Sequence, residues 1–454
     1  MDYTSTLPYG VLVKIFGGLT PPNPNCVRFL CAAASVCPNW REAAKEPCLW
    51  RHLRVDANQW QLIEQLTGPR LRNLVAHSHN TLTWLELERC PLVNEAALTL
   101  SLLQQPCLVY VSFQGCESIS RKGLAHALCD AENFQGVVEQ LNNPRQSVAD
   151  AQRCCVALCT LLDSVLTDED KDVVWFGQRL YPEEVEATLV EAQAAGTLDA
   201  LLRCAVLHAA HAGVQAACCY ALSRYIYGGF WIFTAVATFR PIFQAGLDAL
   251  KAHPLDIYVQ RAALPALRNA CFYGLEGTPG VDALLDAIPL ILAVMRAFPT
   301  DLDVQHAGCD TLVKMCNMNA SMPVAVATAG AMGLFIKALY LDVTNESIRF
   351  AAVEGIGAIA LSKAALPQAS LGIDAVMRPL RDSDSIHNEL ITGSGKLMAA
   401  TRKTLGIYLR FPSTRERAIQ AGAEYAIQGI EYYEAERERE TALLLELELE
   451  FSSD

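Results

Sequence analysis

One block of sequence returns four times at nearly constant spacing. Val214-Gln215 is followed by Cys218, Ala221 and Leu222. Val259-Gln260 is followed by Ala263, Ala266 and Leu267. Val304-Gln305 is followed by Gly308, Thr311 and Leu312, and Ile348-Arg349 by Ala352, Gly355 and Ile356. The starts lie 45, 45 and 44 residues apart. In each block the apolar and small positions fall at i, i+4, i+7 and i+8, which is one face of a helix. A period of this length means stacked helical units that bury a continuous core only together. The small residues let neighbouring helices approach closely, and the Leu or Ile fills the shared core.

Each block has its own preceding apolar helix, as at Leu198–Leu207, Ile288–Met295 and Leu334–Leu341. Turn signals such as Ala329-Gly330-Ala331 and Ala421-Gly422-Ala423 separate the units. Weaker copies at Asp150–Leu158 and Leu397–Leu405 bring the count to about six. An insertion at 167–190, carrying Asp168-Glu169-Asp170-Lys171, reads as an exposed loop and helix. The array as a whole covers 131–430.

The V-Q-x-x-small-x-x-small-L block resembles the third helix of armadillo repeats. That resemblance implies a right-handed armadillo/HEAT-like α-solenoid. In that family the tenth residue after the Val is an Asn lining the concave groove. Here the column reads Arg224, Asn269 and Lys314. Two readings stay open: a polar ladder that holds an extended peptide, or the solvated face of each helix. The Trp that accompanies this Asn in nuclear-import armadillo proteins is absent, and Pro265 is expected to kink its helix.

A second, shorter repeat precedes the array. Leu82, Leu85, Leu87, Cys90, Val93 and Leu98 map onto Leu108, Val111, Phe113, Cys116, Ile119 and Leu124, every pair 26 apart. This resembles the cysteine-containing leucine-rich repeat: a short strand, a turn with a buried Cys, then a helix. Two repeats need capping on both sides. Trp60, Leu62 and Leu71–Leu74 supply a degenerate repeat on one side, and the helical array covers the other. Residues 54–130 therefore read as a short α/β bracket.

Residues 1–53 read as three short helices. Leu7-Pro8 opens the first, and Val11, Leu12, Ile15, Phe16 and Leu19 follow at helical spacing. The second runs through Phe29, Leu30, Ala33, Val36, Cys37 and Trp40, and a third element ends at Trp50. So small a unit buries its apolar surface poorly alone. The string LPYGVLVKIFGGL, followed by SVCPNWREAAKEPCLW, resembles an F-box. The resemblance implies docking to a Skp-family adaptor through Leu7, Pro8, Ile15, Phe16, Leu19, Val36, Cys37, Trp40 and Trp50. Gly10, where the family often has an acid, and the connector Pro21-Pro22-Asn23-Pro24 depart from the pattern.

Composition narrows the remaining classes. The chain is 52% hydrophobic and 19% charged, with a net charge of −13. Nine acids and two arginines of the segment 431–454 supply −7 of that, so this end reads as an acidic helix or tail. A mildly acidic body argues against nucleic-acid binding, which needs a basic stripe. The run Phe230–Phe239 is about half the length needed to span a bilayer. The seventeen cysteines include no C-x-x-C pair and read as small core residues in a reducing compartment. Cys204, His208 and His211 share one helix face, but core and surface roles account for them. No phosphate-binding loop or nucleophile elbow is present in the sequence.

The expected protein is mainly α, without cofactor or metal, and cytoplasmic and/or nuclear. By resemblance it is a non-catalytic substrate adaptor of an SCF-type cullin–RING ubiquitin ligase, with a protein substrate on the array and neither nucleic acid nor membrane among its partners. The alternative is a non-ligase armadillo scaffold for trafficking or cytoskeletal assembly.

Overall fold

Apolar spacing places strands and helices in strict order, as a computed structural model of the chain shows. It describes residues 12, 30, 33–55, 66–102, 105–113, 116, 118–162, 183–229, 239–271, 280–342, 345–381, 396–424 and 427–428. Contacts divide the chain into two units, one carrying the elements up to Ala270 and the other those from Val281 onward.

The first unit begins with Leu12 and Leu30, both helical and fully buried. Helix α1 (Pro38–Ala44) and a 3-10 turn (Pro47–Trp50) follow. The second expected helix is not continuous. Residues 33–36 are helical, but Cys37 is extended (φ −160°, ψ 168°) and caps a new helix that Pro38 opens. The ring of Pro38 pushes the residue before it out of the α region.

Three strands then form one parallel sheet in the order β1-β2-β3: β1 (His52–Val55), β2 (Trp84–Leu87) and β3 (Tyr110–Ser112). The partners of β2 and β3 are Trp84 with Tyr110, Leu85 with Val111 and Glu86 with Ser112, which is the 26-residue period written as hydrogen-bond register. A helix returns the chain after each strand: α2 (Gly68–Ala76), α3 (Glu95–Leu102) and α4 (Arg121–Cys129). Cys90 and Cys116 are buried at the two turns, and the Cys90 N–H donates to Cys116 Sγ at 3.3 Å. Strand β1 was not expected. It crosses the boundary drawn at residue 53 and pairs His52 with Trp84. Leu71 of the anticipated degenerate repeat is buried in α2, while Trp60 and Leu62 lie outside the described residues.

The helical array follows as α5 (Phe134–Leu141), α6 (Val148–Leu162), α7 (Glu183–Ala194), α8 (Thr197–Leu207), α9 (Ala212–Gly229), α10 (Phe239–Ala252) and α11 (Ile257–Ala270). Helices α6, α9 and α11 pack side by side in one layer, with α5, α8 and α10 against them. The second unit repeats this with α12 (Val281–Ala297), α13 (Leu302–Met318), α14 (Met322–Thr328), α15 (Ala331–Leu339), α16 (Glu346–Ala360), α17 (Leu366–Ala369), α18 (Gly372–Arg381), α19 (Lys396–Arg410) and α20 (Pro412–Gln420). Here α13, α16 and α19 make the packed row. Helix α11 continues through Pro265. Gly196, Gly330 and Gly422 take the left-handed conformation that separates successive helices, as their turn signals require. Leu189 of α7 is buried, so the insertion's last turns belong to the core. The rest of the insertion before Glu183, most of Phe230–Phe239 and the acidic tail lie outside the described residues. Among the described residues no single helix is long and apolar enough to cross a membrane.

The glutamines of the repeated block have a physical reason. A helix C-terminus leaves carbonyls without intrahelical partners. Gln215 Nε2 donates to the carbonyls of Ala205 (2.6 Å) and His208 (3.2 Å), at the end of α8. Gln260 Nε2 donates to the His253 carbonyl after α10, at 2.6 Å. Gln305 Nε2 donates to Met295 (2.8 Å) and Phe298 (3.0 Å), at the end of α12. All three side chains are buried. In these three repeats one buried amide thus closes the preceding helix onto the next. In the weak first copy, Gln152 of α6 donates instead to the carbonyl of Leu108 at 2.7 Å, tying the array to the entrance of β3.

Candidate functional site

Of the residues expected to dock an adaptor, Leu7, Pro8, Ile15, Phe16 and Leu19 lie outside the described residues. Val36 is exposed, at 52%. Cys37 and Trp40 are half-buried. Trp50 is used inside the fold: it is 3% exposed, its indole Nε1 donates to the Ala44 carbonyl at 2.7 Å, and its ring lies 4.8 Å from that of His77. Along this segment Val36, Cys37 and Trp40 thus keep part of their surface exposed, while Trp50 anchors α1 to the helix–turn that follows.

The sheet has two faces. On one, Leu53, Val55, Leu85, Leu87, Val111 and Phe113 are all buried, as alternation requires. The other carries His52, Trp84 and Tyr110 side by side in register. This second face is not an open binding surface. Tyr220 of α9 meets the Trp84 ring at 5.0 Å and the Tyr110 ring at 4.9 Å. Tyr258 of α11 stacks toward Trp84 at 6.5 Å. Arg261 of α11, only 3% exposed, sets its guanidinium 5.6 Å from the centre of the Trp84 ring. Its Nη1 donates to His52 Nδ1 at 2.8 Å, which fixes the neutral imidazole with its proton on Nε2. Burial first, then the charges of Arg261 and Arg54, hold the His52 pKa well below the usual imidazole value. Arg224 of α9 donates from Nη2 to the Tyr110 hydroxyl at 3.0 Å.

This arrangement answers the question about the polar column in part. Arg224 and Asn269 are brought together in the first unit. Asn269 is buried and donates from Nδ2 to the carbonyl (2.9 Å) and hydroxyl (3.3 Å) of Ser223, the neighbour of Arg224. Arg268 Nε donates to its Oδ1. Asn269 therefore links α11 to α9, and Arg224 links α9 to the sheet. Lys314 belongs to the second unit, where it is half-buried on α13 and its charge acts on Glu354 of α16. The carboxyl of Glu354 is nonetheless pushed up, because desolvation outweighs the lysine.

The cluster of His52, Trp84, Tyr110, Tyr220, Tyr258 and Arg261 is not apparent from the repeat reading. Its signal was present in part. Trp84 and Tyr110 are themselves 26 apart, and each sits one residue before the expected strand leucine or valine. Aromatic residues at matching positions of two repeats mark the face opposite the strand's own core.

Residues 4–56 match the F-box-like family profile. The chain therefore carries an F-box-like domain at its N-terminal end, and β1 lies within that match. No curated protein sequence matches the chain. Among solved structures, a crystal structure of an engineered protein is similar over 60% of this chain and 95% of its own, at 17% identity and a TM-score of 0.42.

Proposed function

We propose that this chain is a substrate-recognition adaptor of an SCF-type cullin–RING ubiquitin ligase, working in the cytoplasm, the nucleus or both. The observation that carries the reading is the F-box-like match at 4–56. Domains of this type bind Skp-family adaptors in such ligases. On this reading the first helices dock the adaptor, the bracket of cysteine-type leucine-rich repeats holds the spacing, and the armadillo-type helices present a protein substrate. The adaptor is non-catalytic: its output is proximity.

The geometry supports a rigid connection between docking segment and array. Strand β1 belongs both to the F-box-like segment and to the sheet, and the sheet is clamped to α9 and α11 through Trp84 and Arg261. A ligase adaptor needs such stiffness, because transfer depends on where the substrate is held. The same feature favours the second reading, a plain scaffold whose N-terminal segment caps the array.

Binding of the full chain to a purified Skp-family adaptor separates the two. Wild type should bind, and Ile15→Asp with Val36→Asp should weaken binding by at least about tenfold, the loss of one well-buried apolar contact. Absence of wild-type binding, or binding indifferent to both substitutions, overturns the adaptor reading and leaves the scaffold. Trp50 is unsuitable for this test because its loss would damage the fold itself.

A further inference from the structure

The fold groups Cys204 with two cysteines rather than with His211. Cys155 of α6, Cys204 of α8 and Cys218 of α9 converge from three helices, all buried. Cys155 Sγ lies 3.7 Å from Cys204 Sγ and 3.4 Å from Cys218 Sγ, and the three sulfurs fall within 4.8 Å of one another. Cys155 and Cys218 occupy the same register position: each stands three residues after the Gln of its copy (Gln152, Gln215), where later blocks have Ala263, Gly308 and Ala352. The architecture asks only for a small residue there. Two blocks answer with cysteine, and α8 adds a third from outside the register.

We propose that Cys155, Cys204 and Cys218 form a metal site for a thiophilic divalent ion of the zinc class, with His208 as the fourth donor. Sulfurs bound at about 2.3 Å around a tetrahedral ion stand about 3.8 Å apart, so the Cys155–Cys204 and Cys155–Cys218 pairs need to open by only a few tenths of an ångström. Three thiolates on a divalent ion leave one net negative charge in an apolar core. A monovalent ion such as Cu(I) would leave two, and a buried charge is costly. His208 follows Cys204 by four residues at the end of α8, the spacing that puts both on one side of a helix. It is near enough to act electrostatically on the Cys204 thiol. With the half-buried imidazole of His208 turned toward the sulfurs from the end of α8, the set would be Cys3His, the composition of closed structural zinc sites. Binding exchanges the three thiol protons for the ion, and those protons are released to solvent.

The test uses the reduced full chain after stripping with a chelator. Titration with Co²⁺ should raise a near-ultraviolet thiolate-to-cobalt band that saturates at about one equivalent, and Zn²⁺ should abolish it by displacement. Cys155→Ala with Cys218→Ala should remove the band while circular dichroism stays helical, since alanine already fills this register position elsewhere. Cys219→Ala should leave the band unchanged. Cys204→Ser is the second variant if the double substitution unfolds, and it too should remove the band. His208→Gln should weaken Co²⁺ affinity by about 10-fold or more. A wild-type chain that gives no band, or a band that survives loss of Cys155 and Cys218, overturns the site. Unchanged affinity in His208→Gln overturns the assignment of the fourth donor.

Discussion

Replacing Gln305 by Met tests the amide lock that closes three of the repeats. The substitution conserves volume, keeps helix propensity and removes only the polar end. It deletes two hydrogen bonds, to the carbonyls of Met295 and Phe298. Each is worth about 0.5–1.5 kcal/mol net, and a buried carbonyl left without a partner adds about 1–3 kcal/mol. The apolar gain from burying the thioether returns about 1 kcal/mol. The balance is a loss of about 1–5 kcal/mol, near 3 at mid-range, localised at the α12–α13 junction. Hydrogen–deuterium exchange of the full chain reads this directly. Amides in the last turn of α12 and the first turns of α13 should exchange at least about fivefold faster, and about 150-fold at mid-range, at tenfold per 1.4 kcal/mol. Peptides from β1–β3 should serve as the internal reference. Exchange within threefold of wild type at that junction would refute the reasoning. It would mean that water or a relaxed backbone satisfies these carbonyls equally well, and that the glutamine is there for another purpose.

Two further outcomes follow from the packing. His52 is held neutral in the fold, below its ordinary value of 6.5. The unfolded chain therefore takes up a proton that the folded chain refuses, and stability contributed by this site is complete above about pH 6.5 and falls as the solution is acidified. The slope is at most about 1.4 kcal/mol per pH unit. All six tryptophans lie between Trp40 and Trp231, so tryptophan fluorescence during urea unfolding reports on the first unit. His52→Gln, which keeps an acceptor for Arg261, should flatten that acid-side slope; an identical slope in both proteins would exclude His52 as its source. In the second unit, a methyl group on Gly355 would stand 2.5 Å from the Phe335 ring, which is fully buried. Gly355→Ala should destabilise this unit by about 1–3 kcal/mol through overpacking, against a helix-propensity gain of up to about 1 kcal/mol. A thermal midpoint at or above wild type would show that Phe335 moves aside without strain.

Several features were legible in the sequence because they are local. The 26-residue repeat gave the β2–β3 register residue for residue, since strands of successive repeats pair where their leucines align. The 44–45-residue spacing gave the helices that form the packed row in each unit. Where local chemistry interrupts a pattern, periodicity misleads. Apolar spacing runs unbroken through Val36, Cys37 and Trp40, but Pro38 forces an extended residue between two helices. Strand β1 is not legible in the sequence because its repeat is degenerate. It stands 32 residues before β2, not 26, and only its hydrogen bonds reveal the kinship.

Sequence alone thus determined that the chain is a helical array preceded by a short strand–helix repeat and an F-box-like segment. It also determined which side of each element is apolar. It could not determine what covers the opposite side. His52 meets Arg261 across 209 positions, and Arg224 meets Tyr110 across 114. A period says which side chains share a face, but the partner of that face comes from distant chain. Tertiary packing decided that the aromatic face of the sheet is closed, that Asn269 ties two helices together, and that three cysteines from different helices share one point. Each of these depends on how elements stack, and stacking is set by the fit of whole surfaces rather than by any one stretch of sequence.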